Sequence, residues 1–184
     1  MAPGVRDQMV RSALALFAER GIAGTKLTDV VAHAGAPRGS IYHHFPGGKD
    51  ELVSAALDAL AVAAPESLAG LRGRDEAGVI DGFLDGWVRL LEATDFQGGC
   101  SVLGITVTTE DPAVRASAGD VFAAWVDTLA DLLDPTGAAP DDAHTLAWTL
   151  LSSAEGAVVL CRARGSLEPL EAVRRQLHRG RGSA

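Results

Sequence analysis

The sequence predicts an all-α fold of about nine helices, and three observations carry that prediction. Apolar residues recur at helical spacing along nearly all of the 184 residues. Alternating β-branched runs are almost absent; Val102–Thr109 is β-rich in composition but lies among helical stretches. Glycine and proline clusters then cut the pattern into segments of ordinary helix length. With 47% hydrophobic and 22% charged residues, a packed core is affordable and global disorder is excluded.

In chain order, Met9, Val10, Ala13, Leu14, Leu16 and Phe17 form the apolar face of a helix from Val5 to Arg20, closed by Gly21. Thr25 is the expected N-cap of a short second helix running through Ala34, with Thr28 as a competing cap. Gly35-Ala36-Pro37 breaks it, and Pro37 suits the first turn of a third helix that runs to about Phe45. After Pro46-Gly47-Gly48, Lys49 opens a longer fourth helix that ends before Pro65 or a little beyond. Further helices are predicted at 76–94, 99–108, 112–133, 141–164 and 168–179. Asp111-Pro112 and Pro140-Asp141-Asp142 are helix starts with acids at the positive dipole end. Residues 179–184 read as a frayed tail.

Charge divides the chain. The formal net charge is -8, from 24 acidic and 16 basic side chains. Residues 1–50 hold six basic and four acidic side chains, or +2, which leaves -10 on residues 51–184. The expected boundary therefore falls near residue 50, with a cationic domain at 1–50 and an acidic one at 51–184. No apolar signal region opens the sequence, and no run of about 18 uncharged apolar residues occurs, so a cytoplasmic protein with no membrane partner is expected.

The first 45 residues hold three helices, the last two short and joined by a glycine-containing turn. That is the layout of a helix-turn-helix, whose third helix lies in a major groove of double-stranded DNA. Leu14, Phe17, Leu27, Val30, Val31, Ile41 and Phe45 can supply its core. Arg38, Gly39, Ser40, Tyr42 and His43 are left facing outward. Arg38 can reach guanine or a phosphate, Gly39 permits close backbone approach, and Tyr42 can donate to phosphate or touch a thymine methyl. Thr25 and Lys26 can meet the sugar-phosphate backbone, and Lys49 with a helix N-terminus can form an anion site.

The stretch Thr25-Lys-Leu-Thr-Asp-Val-Val-Ala-His-Ala-Gly-Ala-Pro-Arg-Gly-Ser-Ile-Tyr-His-His-Phe-Pro-Gly-Gly-Lys-Asp-Glu-Leu52 resembles the DNA-binding region of the TetR/AcrR family of transcriptional repressors. The likeness covers about residues 5–55. Phe45-Pro-Gly-Gly-Lys49 and Gly98-Gly-Cys-Ser-Val-Leu-Gly104 resemble its LmrA/YxaF-like branch. The resemblance implies a homodimer on a palindromic operator, released by a small molecule held in the C-terminal domain. The family's functional positions fall on Thr25, Arg38, Gly39, Ser40, Tyr42, His43 and Lys49. Many relatives carry Ser or Thr where this chain has Pro37, so a hydroxyl contact to phosphate is missing here.

For the C-terminal ligand-binding and dimerisation domain, Leu57, Leu60, Trp87, Leu91, Cys100, Leu103, Phe122 and Trp125 are the expected ligand-binding residues, as the apolar lining a small-molecule site requires. Glu92, Glu110 and Glu155 are expected at the surface, although any of them could neutralise a cationic ligand. Residues 141–164 are apolar over too wide a face for a one-sided helix, and small residues there permit close helix approach. With 168–179 they resemble the family's dimer interface.

Other chemistry finds little support. His33, His43 and His44 are poorly spaced for a metal, since neighbours on a helix diverge by about 100°. Cys100 has no basic flank or nearby resolving partner to mark a redox site, and a pocket or core place is expected of it; Cys161, beside Arg162 late in an apolar helix, is expected to pack in the core or an interface. No nucleophile elbow, phosphate loop or dinucleotide glycine pattern occurs, so no catalytic residue, cofactor or metal is expected. An activator or ligand-independent regulator with the same reading head stays open, as does a helical small-molecule enzyme or carrier.

Overall fold

Gly21 ends the first helix at φ +71°, a backbone conformation that side-chain-bearing residues rarely adopt. Helix α1 spans Val5–Arg20 and buries Met9, Val10, Ala13, Leu16 and Phe17. The chain continues with α2 (Leu27–His33), α3 (Ile41–His44) and α4 (Gly48–Leu68). A 3-10 turn at Ala69–Leu71 leads into α5 (Glu76–Ala93), then α6 (Ser101–Thr108), α7 (Pro112–Leu133), α8 (Pro140–Arg164) and α9 (Glu168–Arg179). The computed structural model describes residues 4–179, apart from the side chains of residues 64 and 65. Among those residues there are nine α-helices and no strand. The tail expected beyond Arg179 lies outside them.

The chain forms two compact units. One comprises residues through 63 together with 100–122; the other comprises 64–99 with 123 onward. In the first unit α1 packs against α2 and, more extensively, against α6. The α1–α6 approach is very close. A Cβ on Gly104 would collide with the carbonyl oxygen of Phe17, and one on Gly21 would stand 2.6 Å from Cγ2 of Thr108. One hydrogen bond spans the contact: Ile22 N–H donates to Oγ1 of Thr108 at 3.0 Å, and that hydroxyl in turn donates within α6 to the Gly104 carbonyl at 2.6 Å. The β-branched composition of α6 fits this role, since Val102 and Ile105, three positions apart, are both fully buried.

In the second unit α5 packs on α8 and α9, and α8 on α9. Asp75 caps α5 by accepting from Gly78 N–H at 2.9 Å. Arg174 of α9 bridges to Asp81 at 2.8 Å and Asp85 at 2.6 Å, one turn apart on α5. His178 lies 2.9 Å from Asp81 as well. Burial pushes the Asp81 carboxyl up, but hydrogen bonds and charge from His178 and Arg174 outweigh it and hold the group below its ordinary value.

Helices α4 and α8 are long and apolar enough, by length and composition, to cross a membrane, although charged residues such as Asp58 and Glu155 interrupt them. In α8 the apolar residues divide between two faces. Ala147, Leu150, Leu151, Ala154, Ala157, Val158 and Cys161 are buried. Trp148, Val159 and Leu160 stand about half exposed, on the open side with Ser152 and Gly156. Glu155 is buried and not at the surface as expected, because its position falls on the packed side of α8.

Two outcomes are expected. Gly104→Ala should destabilise the fold by about 1–3 kcal/mol, because the obstructing atom is backbone and cannot swing aside. Gly119→Ala, with nothing near its Cβ, should instead be neutral or gain up to about 1 kcal/mol; denaturant melts of the two variants side by side test the contrast. The Asp81 contribution should be complete above the ordinary carboxylate value of 3.8 and be lost as pH falls through its depressed one. Hydrogen exchange along α9 in this range should show the loss, and Asp81→Asn should remove the pH dependence.

Candidate nucleic-acid interface and cavity

The reading head is built on a turn tighter than the sequence suggests. Helix α2 is opened by Lys26, not Thr25: its N–H donates to Oδ2 of Asp29 at 3.1 Å. Asp29 also meets Arg20 at 3.2 Å. Thr25 is turned inward and buried, with its hydroxyl donating to the Gly21 carbonyl at 2.8 Å. Its side chain ties α1 to the loop before α2 and has no free surface for a sugar-phosphate contact. Lys26 and Thr28 are exposed beside it.

After α2, Gly35 takes φ +64° and Ala36 N–H returns to the Val31 carbonyl at 3.1 Å. A third helix was expected from Pro37, yet α3 proper is the single turn Ile41–His44. Pro37 has no N–H, Gly39 is a poor helix former, and Ser40 N–H closes a four-residue turn on the Pro37 carbonyl at 3.0 Å. Ile41 and Phe45 anchor the segment in the core. Phe45 also carries the Arg6 guanidinium over its ring, 4.9 Å from the centroid.

Arg38, Gly39, Tyr42 and His43 are therefore displayed together, the first two from the turn and the others from the helix. Tyr42 is 65% exposed, high for an aromatic in a small domain. Ser40 is half-buried and spends its hydroxyl on the Pro37 carbonyl at 2.6 Å. A Cβ on Gly39 would meet nothing within 4 Å, so packing does not require glycine there. Lys49 is half-buried in the first turn of α4. The Gly47 amide ahead of it is already taken by Oε2 of Glu51 at 2.8 Å, so Lys49 supplies charge to a helix start whose own carboxylate is engaged.

The expected ligand-binding residues do not gather in one place. Trp87 and Trp125 line a cavity of about 330 Å³ in the second unit, with Leu71, Phe83 and Leu90. Phe83 and Trp87 meet edge to face at 6.4 Å. Leu91 is fully buried in the same unit and does not reach the cavity surface. Leu57, Leu60, Cys100, Leu103 and Phe122 belong to the first unit. Cys100 caps α6 there, its Sγ accepting from Leu103 N–H at 3.3 Å. Cys161 is buried in α8, where desolvation pushes its thiol pKa up. Among the described residues no cluster of His, Cys, Asp and Glu suited to a metal occurs.

Sequence reasoning missed Arg74 and Arg89, which line the same cavity with Gly82 and Gly86. The spacing Gly82, Gly86, Arg89 on α5 was a usable signal, since i, i+4 and i+7 share a helix face.

Comparison with known proteins agrees with this geometry. Residues 10–56 match the family model for bacterial regulatory proteins of the tetR family. Residues 77–176 match that for the C-terminal domain of LmrA/YxaF-like transcriptional regulators. The uncharacterized HTH-type transcriptional regulator Rv0196 of Mycobacterium tuberculosis is 40% identical over 183 residues, covering 95% of this chain and 92% of the relative. The HTH-type transcriptional regulator LmrA of Bacillus subtilis is 25% identical, with 90% of each chain covered. A TetR transcriptional regulator from Legionella pneumophila has the same fold, with TM-score 0.84, 20% identity, and 98% and 99% of the two chains covered.

Proposed function

The chain belongs to the TetR family of bacterial transcriptional regulators, in its LmrA/YxaF-like branch, and from that premise we propose that it is a ligand-responsive repressor. Its DNA-binding head recognises a palindromic operator as a homodimer, and a small molecule in the cavity of the second unit releases it. The observation that carries the reading is the exposed cluster of Arg38, Gly39, Tyr42 and His43 around the short α3. A one-turn helix with an outward tyrosine and arginine is poorly suited to burial and well suited to a groove. The enzyme and carrier alternative gives way to family membership.

The other parts follow from the same logic. The open face of α8, with Trp148, Gly156, Val159 and Leu160, supports pairing of two copies through α8 and α9. A two-fold protein then matches a two-fold operator. The cavity lies within the roughly 300–1,000 Å³ of small-molecule sites. For release, the ligand must favour a conformation whose heads no longer match the half-site spacing, because equal affinity for both states shifts nothing. Helix α4 starts at Lys49 beside the head and runs through Leu57 and Leu60, which makes it the natural lever.

A gel shift against DNA immediately upstream of the protein's own gene tests the reading. Arg38→Ala should weaken binding and relax base preference, whereas Lys49→Ala should weaken all sequences and lower the salt slope by about one unit. If both variants bind like the parent, the docking scheme fails. Thr25→Val should lower stability by about 1 kcal/mol through its lost internal bond, with the salt slope unchanged. Expression from an operator-fused reporter should rise when the regulator is deleted; a fall would mark an activator.

A further inference from the structure

We propose that the cavity of the second unit takes an amphipathic organic anion: an aromatic or aliphatic body against Phe83, Trp87 and Trp125, with its carboxylate or comparable anionic group at Arg74 and Arg89. The inference rests on the effector reading above and narrows it to a chemical class.

The sign of the charge follows from what lines the cavity. Arg74 and Arg89 are its only charged lining residues among those described, in a chain with 24 acidic and 16 basic side chains. A lone exposed arginine is ordinarily just solvated. Here two of them converge on one apolar hollow. Nη1 of Arg74 lies 2.9 Å from where a Gly82 Cβ would stand, and Nη2 of Arg89 lies 3.9 Å from the position of a Gly86 Cβ. Both guanidinium groups thus lie along a strip of α5 that carries no side chains.

Among the described residues no acid lines the cavity itself, although Asp131 borders an adjoining hollow that Arg74 also lines. Asp81 and Asp85 sit on the adjoining face of α5 and are held by Arg174 at 2.8 and 2.6 Å. Asp75 is engaged at its own helix start, 2.9 Å from Gly78 N. Arg164 and Arg174 each make an ion pair with a carboxylate, whereas no ion pair forms at Arg74 or Arg89 among the described residues. Asp81 and Asp85 of α5 thus face α9, whereas Arg89 of the same helix and Arg74 of the turn before it border the cavity. A cationic ligand would meet two like charges, and a neutral one would leave both guanidinium forks unused. An anion gains charge-assisted, potentially bidentate hydrogen bonds at the rim while its body displaces water from the aromatic wall.

Calorimetric titration of the full-length protein tests this with octanoate and 1-naphthoate, each against its alcohol and its ammonium counterpart. The carboxylates should bind about tenfold or more tightly than the alcohols, and the ammonium compounds weakest. Arg74→Gln and Arg89→Gln should each reduce carboxylate affinity by about three- to tenfold and leave the alcohols unchanged, with lysine restoring part of the loss. Gly86→Leu should abolish binding of all by filling the cavity; a circular dichroism melt like the parent's shows that it folds. Equal affinity for carboxylate and alcohol, indifference to both glutamine variants, or full carboxylate binding by folded Gly86→Leu overturns the proposal. The operator gel shift separates it from the effector reading. Carboxylate binding that leaves the DNA complex intact upholds the anion site and sinks release by this cavity. Release by the alcohols or ammonium compounds with the carboxylates inert sinks the anion site and leaves repression standing.

Discussion

The close crossing of α1 and α6 is the constraint on which the first unit depends. Helices normally keep their axes 8–10 Å apart because side chains stand between them. Gly104 removes the side chain at the point of contact and lets α6 rest on the backbone of Phe17. Phe17 can then be wholly buried, and it shares the small core with Met9, Val30, Ile41 and Phe45. A domain whose third helix is one turn long cannot hold that helix by backbone hydrogen bonds alone. It is held by Ile41 and Phe45, which need a firm wall to pack on. The α6 contact steadies α1, whose Arg6 stacks on Phe45, so Gly104, about 60 positions beyond α3, bears on the display of Tyr42.

Electrostatics in the head are arranged by engaging its own carboxylates. Asp29 is shared between Arg20 and the Lys26 amide, and Glu51 is bound to the Gly47 amide. Of the four acids in residues 1–50, Asp29 is held in this way, and Glu51 just beyond them is held likewise. The acidic remainder keeps the rest of the chain unattractive to nucleic acid.

Most of the fold was legible because its helix ends carry local chemistry. Gly21 and Gly165 stop α1 and α8, and the predicted helix 112–133, opened by Asp111-Pro112, agrees with α7 at Pro112–Leu133. Legibility failed where a local rule met a tertiary competitor. Thr25 has every feature of a cap, but the Gly21 carbonyl lies within reach and claims its hydroxyl. Pro37 is a good first residue for a helix, yet the short path from α2 to the Ile41 anchor favoured a turn. The expected ligand set failed for a longer-range reason. Large apolar residues mark cores and cavities alike, and only the packing of α5 with the chain before it tells which of them border empty space. Trp87 does, and Leu91, one turn on, does not.

Gly39 leaves one further consequence. It stands in the displayed turn, at ordinary negative φ, with empty space where a side chain would be. Packing therefore has no stake in its identity. Most positions near a recognition surface serve two masters, and a change that alters what the surface meets also disturbs what holds it up. Position 39 is released from that conflict. Side chains of many sizes can be tried there by drift or by duplication without passing through an unfolded ancestor, which makes this turn a place where a lineage can change its partner and keep its scaffold.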